Sequence, residues 1–260
     1  MDYKNIKTED KDGLRIILID RPSKLNALNK ETINELSIAF KDAENNSDIK
    51  VIIISGGGTK AFIAGADISE FADFNQEQGK DLSKEGHDHL FDLVENLTTP
   101  VIAAINGFAL GGGLELAMSA HFRVASDNAK MGLPETSLGV IPGYGGTQRL
   151  TQLVGKGKAM EMIMTAGMLT ATEAEKNGLV NYVVTQEELI PFCEKLASKI
   201  MKNSPIAISS AIKAINASTK GYVNGFEVEI EEFGKCFATN DFKEGTSAFL
   251  EKRKAEFKGN

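Results

Sequence analysis

The stretch PVIAAINGFALGGGLELAMSA spans Pro100 to Ala120 and carries a single charged residue. Its aliphatic run Val101–Ile105 predicts a buried strand, which an Asn-Gly pair ends. After the three glycines Gly111–Gly113, the residues are apolar on every side of the next predicted segment, as is typical of a buried helix. Glu115 lies in the first turn of that helix. Because a carboxylate is rarely buried without a partner, Glu115 is the residue that any interpretation of this sequence has to explain.

The composition is that of an ordinary globular protein. The chain has 260 residues, of which 42% are hydrophobic, and its net charge of −7 provides no global positive field for nucleic acid or an anionic membrane. The charged N-terminus lacks the apolar segment of a signal peptide, and the glycines of Pro100–Ala120 argue against a transmembrane helix. The widely spaced Cys193 and Cys236 favour free thiols in a reducing compartment. We therefore expect a cytoplasmic protein that binds neither nucleic acid nor a membrane.

Strands and helices alternate in the first part of the chain. Apolar residues recur at helical spacing over 30–45, between predicted strands at 13–20 and 51–55, and this pattern indicates a parallel sheet. We also expect a short helix from residue 67, a longer helix over 76–97, a loop over 130–143, helices over 145–153 and 156–165, and strands at 122–126 and 180–184.

From residue 186 onward every segment is typical of a helix. The predicted helices cover 187–202, 205–217, 222–238 and 241–257. We therefore divide the chain into an α/β core at residues 1–185 and a helical region at residues 186–260.

A second isolated glutamate occurs in similar surroundings. Glu135 is the only charge in MGLPETSLGVIPGYGGTQ, residues 131–148. Glu115 and Glu135 could form a general acid–base pair, since desolvation and their mutual repulsion would raise both pKa values. The alternative is that Glu115 caps the glycine turn and that Glu135 follows Pro134 into a surface turn.

Two turns of small residues precede predicted helices. Gly111–Gly113 and Ala64–Ala66 both let a ligand approach the backbone closely, because neither turn has large side chains. The free N–H groups at the start of a helix would stabilise a developing oxyanion. The alternative for either turn is a tight helix start that has no function.

Four strings together resemble the crotonase, or enoyl-CoA hydratase, family. They are FIAGADISEF (62–71), PVIAAINGFALGGGLELAMS (100–119), GLPETSLGVIPGYGGTQRL (132–150) and SAFLEKRK (247–254), in the order and spacing of that family. The bacterial short-chain hydratases, including the 3-hydroxybutyryl-CoA dehydratases, look most similar. The resemblance implies the ClpP/crotonase fold, an α/β spiral of ββα repeats that carries the catalytic site. It also implies that the C-terminal helical region builds trimers, or hexamers that are dimers of trimers.

The resemblance implies a role for each residue of the catalytic site. The N–H groups of Ala66 and Gly112 would form an oxyanion hole for the thioester carbonyl. Glu115 would act mainly as the base on water, Glu135 would protonate the α-carbon, and Gly143 would lie near the reacting acyl carbons. The implied reaction is the reversible syn addition of water to a trans-2-enoyl-CoA, giving a 3-hydroxyacyl-CoA. The resemblance thus implies a hydro-lyase of fatty acid metabolism that acts on a short-chain substrate such as crotonyl-CoA, and it leaves open whether the pathway is β-oxidation, butyrate formation or aromatic acid breakdown.

The reaction implied in this way requires no cofactor and no metal, because coenzyme A is part of the substrate. The histidines agree with this expectation, since His87 and His89 point apart on a helix and His121 stands alone.

The resemblance also implies contacts to coenzyme A. The residues implied are Lys24, Lys60, Ala64, Asp67 and Ile68, together with Phe249 and Lys252 from a neighbouring subunit. The alternatives are ordinary solvated charges for the lysines and helix packing for Phe249. The sequence departs from the family at Ser69, where many relatives carry a lysine, and at Ala120–Phe122, where they carry a Cys-Asp-aliphatic run.

Two other functions remain open at this level. An enoyl-CoA isomerase of the same superfamily generally manages with one catalytic carboxylate, so the presence of both Glu115 and Glu135 favours a hydratase. A non-catalytic RNA-binding or scaffold protein is the other alternative, and the acidic composition argues against it.

Overall fold

Within residues 3–260, which the computed structural model describes, ten strands form two sheets. The strands are β1 (Ile6–Lys11), β2 (Leu14–Ile19), β3 (Val51–Gly56), β4 (Ala61–Ile63), β5 (Val101–Ile105), β6 (Phe108–Leu110), β7 (Phe122–Ser126), β8 (Lys130–Gly132), β9 (Met168–Thr170) and β10 (Tyr182–Val184). The large sheet has the order β1-β2-β3-β5-β7-β10, and the small sheet has the order β4-β6-β8-β9. Apart from the antiparallel pairs β1–β2 and β8–β9, neighbouring strands are parallel.

The helices connect and cover these sheets. They are α1 (Lys30–Asn45), α2 (Gln76–Gly86), α3 (Asp92–Asn96), α4 (Gly112–Ser119), α5 (Gly146–Thr165), α6 (Ala171–Lys176), α7 (Leu189–Ile200), α8 (Pro205–Ala217), α9 (Gly225–Cys236) and α10 (Asn240–Glu251). A π-helical segment, His87–Phe91, joins α2 to α3. Single 3₁₀ turns cover Pro22–Lys24, Ile68–Glu70 and Pro134–Leu138.

The chain forms a spiral because it alternates between the two sheets. In three consecutive passes it adds one strand to the large sheet and the next strand to the small sheet, as β3 then β4, β5 then β6, and β7 then β8. Helices follow each of these strand pairs. The predicted ββα repeat is therefore present in the core.

The large sheet is buried on both faces. Successive side chains of a strand point to opposite faces, so Ile52 and Ile54 pack with α1 while Val51 and Ile53 pack with α7. This explains why β3 and β5 are continuous aliphatic runs and not alternating patterns.

The small sheet positions the functional residues. Its strands β4, β6 and β8 are parallel neighbours, so their carboxyl ends lie along one edge. The chain leaves that edge at Ala64–Ala66 after β4, at Gly111–Gly112 after β6 and at Leu133–Glu135 after β8. Residues that are far apart in the sequence thereby become neighbours.

Most of the predicted elements are confirmed. The helix over 30–45 has the predicted bounds. The predicted helices 145–153 and 156–165 are the two halves of α5, which meet at Gly155 with φ 78°. The predicted helix over 76–97 is helical but contains the π-helical segment.

Three predictions of local structure were wrong. The expected loop over 130–143 contains β8 and a 3₁₀ turn, because a strand of three residues is too short to show a period. The expected short helix from residue 67 is a single 3₁₀ turn that begins at Ile68. The last helix ends at Glu251 and not at residue 257, because Lys252 adopts the left-handed conformation with φ 56°.

Candidate active site

Glu115 is buried and held by two backbone N–H groups. It lies in the first turn of α4 and is 1% exposed. Its Oε1 atom accepts hydrogen bonds from the N–H groups of Tyr144 and Gly146, both at 2.8 Å. A Cβ atom on Gly146 would lie 2.8 Å from that Oε1, so only glycine lets the backbone come this close. Glu115 Oε2 accepts no hydrogen bond from residues 3–260.

Burial raises the pKa of Glu115 to about 7. The hydrogen bond from Gly146 opposes this rise in pKa, the negative charge of Glu135 adds to it, and the Tyr144 hydrogen bond and the Arg149 charge oppose it. A carboxyl group with a pKa near neutrality can release or accept a proton at physiological pH. The capping alternative does not account for Glu115, because its carboxylate bonds to a turn on another element and not to its own helix.

Glu135 packs against the glycine turn that precedes α4. A Cβ atom on Gly111 would lie 2.7 Å from Glu135 Oε1, and Gly111 has a positive φ of 51°, so both conditions require glycine. Burial raises the pKa of Glu135. Its Oε2 atom is buried and has no hydrogen-bond partner in the described part of the chain. The surface-turn alternative is therefore wrong for the carboxyl group, although Glu135 does lie on a 3₁₀ turn.

Two backbone N–H groups are free beside these carboxylates. Gly112 is the first residue of α4, so its N–H has no acceptor within the helix. Leu28 pairs with the residues on both sides of Ala66: its N–H donates to Gly65 O, and its carbonyl oxygen accepts from Asp67 N–H. The N–H of Ala66 itself therefore has no acceptor among residues 3–260. The two turns are in contact, because a Cβ atom on Gly111 would lie 3.8 Å from Gly65 Cα.

A cavity of about 920 Å³ reaches this site. Its lining includes Leu28, Ala66 and Tyr144, together with residues of α2, among them Leu82. A Cβ atom on Gly112 would lie 3.6 Å from both Leu28 Cδ1 and the Tyr144 ring, so Gly112 borders the same space. The cavity can therefore bring a ligand to the two free N–H groups.

Gly143 lies next to the turn that holds Glu115. Its carbonyl oxygen accepts a hydrogen bond from Ser83 Oγ at 2.6 Å, and the following residue, Tyr144, donates to Glu115. The expectation that Gly143 lies near the reacting groups is consistent with this position.

Asp67, Ile68 and Ser69 follow Ala66 directly. Ser69 Oγ donates to Asp67 Oδ1 at 2.7 Å, and this bond, together with the charges of Arg21 and Lys24, lowers the pKa of Asp67. Ser69, one of the departures from the family pattern, therefore orders the side chain of its neighbour. Ile68 is 45% exposed.

Lys24 and Lys60 lie on neighbouring loops. Lys24 ends the 3₁₀ turn that begins at Pro22, and Lys60 and Pro22 line a hollow of about 290 Å³. Neither lysine forms an ion pair with a carboxylate in the described part of the chain. Ala64 N–H donates to Leu25 O at 3.1 Å, which joins the loop that contains Lys24 to the Ala64–Ala66 turn.

Phe249 and Lys252 do not line the cavity of their own chain. Phe249 is 82% exposed on α10, and Lys252 ends that helix. A single chain does not bring either residue to the two glutamates.

The structure adds three residues that sequence reasoning missed. Tyr144 and Gly146 provide the N–H groups that hold Glu115, and Arg149 Nη1 donates to Tyr144 O at 2.9 Å. The available signal was GYGGTQR itself, in which closely spaced glycines precede an arginine that turns out to be buried.

The departure at Ala120–Phe122 has a structural explanation at its central residue. Val101 N–H donates to His121 Nδ1 at 2.8 Å, and His121 N–H donates to Val101 O at 3.1 Å, so His121 joins α4 to the start of β5. Burial lowers the pKa of His121 to about 4, so the ring is neutral and can accept this bond.

Two further findings concern residues 3–260 as a whole. No helix among them is long and apolar enough to cross a membrane. No three histidine, cysteine or acidic side chains among them are arranged as metal ligands.

Comparisons with known proteins agree over the whole length. The sequence model of the family described as enoyl-CoA hydratase/isomerase matches residues 9–260. The chain is 44% identical to the short-chain-enoyl-CoA hydratase of Clostridium acetobutylicum over 257 residues, 98% of each chain. It is also 44% identical to the crotonyl-CoA hydratase of Syntrophomonas wolfei over 258 residues, 99% of each chain. A crystal structure of the enoyl-CoA hydratase from Bacillus anthracis is similar with a TM-score of 0.92 at 38% identity, covering 99% of this chain and 100% of that one.

Proposed function

The chain belongs to the enoyl-CoA hydratase/isomerase family, and from this premise we propose that Glu115 and Glu135 add water to short-chain trans-2-enoyl-CoA thioesters. The protein is an enoyl-CoA hydratase, a hydro-lyase with the crotonase fold that acts on acyl-CoA. The observation that carries the proposed roles is the meeting, at one edge of the small sheet, of the buried Glu115 and the partly buried Glu135 with two N–H groups that have no partner among residues 3–260.

The thioester oxygen binds between the N–H groups of Ala66 and Gly112. Addition of a nucleophile at the β-carbon moves negative charge onto this oxygen in an enolate-like transition state. Each N–H donor of this kind typically contributes about 3 kcal/mol to the stabilisation of the transition state. Since neither N–H has another partner in the described part of the chain, both are available for this bond.

Glu115 acts as the base on water. It removes one proton from the water molecule while the oxygen forms a bond to the β-carbon. The two N–H groups on Oε1 favour the ionised carboxylate, and Oε2 is left to accept the proton. A pKa of about 7 makes this transfer feasible near neutral pH.

Glu135 acts as the acid. It delivers its proton to the α-carbon as the enolate-like electrons return, so the C=C bond is lost and one C–O and one C–H bond are gained. No donor among residues 3–260 stabilises the charge on its buried Oε2 atom, and this supports the protonated form in the resting enzyme. In the dehydration direction the two carboxyl groups exchange roles.

The reaction requires no cofactor in this proposal, because proton transfer and stabilisation of the oxyanion account for the whole change. Coenzyme A enters only as part of the substrate. We propose that it passes Ala64, Asp67 and Ile68 toward Lys24 and Lys60. The absence of an ion pair at either lysine within residues 3–260 supports this path, since both ammonium groups remain available to bind phosphate.

The assembly that we propose is a trimer, or a hexamer of two trimers, built by residues 186–260. Exposed apolar residues on one face of α9 support it, since Phe226, Ile230 and Phe233 are 79%, 69% and 67% exposed in the single chain. In this assembly Phe249 and Lys252 contact coenzyme A in a neighbouring subunit. The unpaired Cys193 and Cys236 support a location in the reducing cytoplasm.

One assay tests the proposed reaction and separates it from the isomerase alternative. The purified protein is given crotonyl-CoA and the loss of absorbance of its conjugated double bond is followed, in parallel with a 3-enoyl-CoA. We expect hydration of crotonyl-CoA that either glutamate-to-glutamine substitution reduces strongly. Conversion of the 3-enoyl-CoA to the 2-enoyl-CoA without hydration of either would contradict the proposal.

A further inference from the structure

A buried arginine supports the turn that holds Glu115. Arg149 Nη1 donates to Tyr144 O at 2.9 Å, and the N–H of the same Tyr144 donates to Glu115. Arg149 Nη2 donates to Asp92 Oδ1 and to Glu95 Oε2, each at 2.7 Å. The arginine side chain is only 7% exposed. Arg149 therefore ties the carbonyl group of Tyr144, whose N–H holds the Glu115 carboxylate, to α3.

The turn is shaped to receive this guanidinium. Gly145 has a φ of 96°, and a Cβ atom at that position would overlap Arg149 Nη1. Arg149 N–H also donates to Gly145 O at 2.9 Å. Only the absence of a side chain at Gly145 therefore allows the guanidinium to reach Tyr144 O.

We propose that Arg149 is a positioning residue for Glu115, which acts by fixing the Tyr144–Gly146 turn and by placing a permanent positive charge behind it. The inference rests on the proposed role of Glu115 as the base. A carboxylate that must attack through one oxygen depends on the direction of the two N–H groups that hold the other oxygen. A displacement of about 1 Å at such a group can lower a rate roughly a hundredfold.

The charge of Arg149 acts in the same direction as the two hydrogen bonds. Among the groups that face Glu115, the Glu135 charge raises its pKa, whereas Arg149 lowers it. The charged groups that face Arg149 are Asp92 and Glu95, and His87 contacts the same Asp92 at 3.1 Å. Loss of the guanidinium would leave these carboxylates unpaired behind the site, and both changes disfavour the ionised form of Glu115.

The chain provides a matched control arginine. Arg15 on β2 is 8% exposed and pairs with Asp10 and Asp42, so it resembles Arg149 in burial and in its two carboxylate partners. It contacts neither glutamate and no part of the Tyr144–Gly146 turn. A general effect of removing a buried, paired arginine will therefore appear when either arginine is replaced. An effect on Glu115 will appear only when Arg149 is replaced.

The experiment compares Arg149→Gln, Arg149→Lys and Arg15→Gln with the wild type. For each folded protein, kcat and KM for crotonyl-CoA hydration are measured across pH, and folding is checked by circular dichroism and thermal unfolding. For Arg149→Gln we expect kcat to fall about ten- to a hundredfold. Its KM should change little, and the acid limb of the pH profile should move to higher pH.

Arg149→Lys separates the two parts of the proposal. Lysine keeps the charge, but its compact ammonium group lacks the planar fork through which Nη1 reaches Tyr144 O while Nη2 reaches both carboxylates. Its acid limb should stay near that of the wild type while kcat still falls. This variant also provides the test if Arg149→Gln does not fold.

Two results would overturn the inference. One is a folded Arg149→Gln or Arg149→Lys variant with a wild-type profile. Its kcat would lie within about twofold of the wild-type value, and the pH of its acid limb would agree with the wild type within error. The other is the same loss of kcat and the same pH shift in Arg15→Gln. If instead Glu115→Gln remains fully active, the proposed role of Glu115 fails first, so the two failures are distinguishable.

Discussion

The Glu115 side chain accepts the backbone N–H of Tyr144 at 2.8 Å, although the two residues lie on different elements and are 29 positions apart. The carboxylate is therefore oriented from outside its own helix. One oxygen is fully occupied by this bond and by the bond from Gly146, so only Oε2 remains for a reacting molecule. Oε1 therefore holds the carboxylate in place, and Oε2 is the oxygen that can exchange a proton.

Replacing either glutamate by glutamine should remove most of the activity and leave the fold intact. Glutamine has the same shape and still accepts the two N–H bonds at position 115, but it cannot transfer a proton. We expect Glu115→Gln and Glu135→Gln each to lower kcat for crotonyl-CoA hydration by roughly 10²- to 10⁴-fold. Glu77→Gln serves as the surface control. Glu77 pairs with Lys80, and each of the two side chains is 73% exposed, so this substitution should leave kcat unchanged. Equal activity of all three variants would contradict the assigned roles.

The pH dependence of hydration should reflect both carboxyl groups. In the proposed mechanism hydration requires an ionised Glu115 and a protonated Glu135, so kcat/KM should follow a bell-shaped profile whose pKa values belong to the pair. Because the alkaline limb reports loss of the proton from Glu135, the residual activity of Glu135→Gln should lack that limb and keep the acid limb. An alkaline limb that survives unchanged in Glu135→Gln would contradict the role of Glu135 as the acid.

The buried charge of Glu115 should cost stability at alkaline pH. Its pKa in the folded protein is raised from the ordinary 4.5 to about 7, so the folded state binds a proton more tightly than the unfolded chain. The free energy of unfolding therefore falls as the pH rises through this window, by about 3 kcal/mol in total, and it is unaffected below the window. Glu115→Gln should consequently unfold at a higher temperature than the wild type at pH 8, and the difference should shrink at pH 5. Thermal unfolding at the two pH values measures this, and Glu77→Gln should show no such difference.

The sequence pointed to the two glutamates of the proposed site but not to the residues that hold Glu115 in place. Glu115 and Glu135 were recognisable because each is the single charge in an apolar stretch. The resemblance then pointed to Ala66 and Gly112. Their proximity could not be read from the sequence, since it depends on β4, β6 and β8, three strands of three residues each in parallel register. Strands of this length carry no measurable period, and the sequence around the third predicts a loop.

The role of Tyr144 and Arg149 was out of reach for a different reason. A backbone N–H is present at almost every residue, so no residue type marks the two that hold Glu115. An arginine in a helix is also most often exposed, and its burial against Asp92 and Glu95 results from packing between α5 and α3. Partners of this kind become visible only when the elements are placed in space.

Alanine at two adjacent glycines should separate catalysis from folding. A Cβ atom at Gly112 makes ordinary contacts at 3.6 Å with Leu28 and Tyr144, whereas one at Gly113 would overlap the carbonyl oxygen of Ile63. Gly112→Ala should therefore fold but place a methyl group beside the oxyanion donor, with a loss of kcat of at least about tenfold. Gly113→Ala should instead lose thermal stability. Full activity of Gly112→Ala would contradict the placement of the thioester oxygen at its N–H.

The apolar face of α9 should hold the assembly together. Phe226, Ile230 and Phe233 recur at helical spacing and are largely exposed in the single chain, so a neighbouring subunit is the expected cover for them. Ile230→Asp would place a charge in that contact, and light scattering after size exclusion should show a lower mass than for the wild type. In the proposed assembly Phe249 and Lys252 would then no longer contact coenzyme A in a neighbouring subunit, so KM for crotonyl-CoA should rise more than kcat falls. Lys41→Asp on the exposed face of α1 should leave both mass and KM unchanged. A wild-type protein that already elutes with the mass of one chain would contradict the assembly, and then the exposed aromatic face of α9 would need another partner.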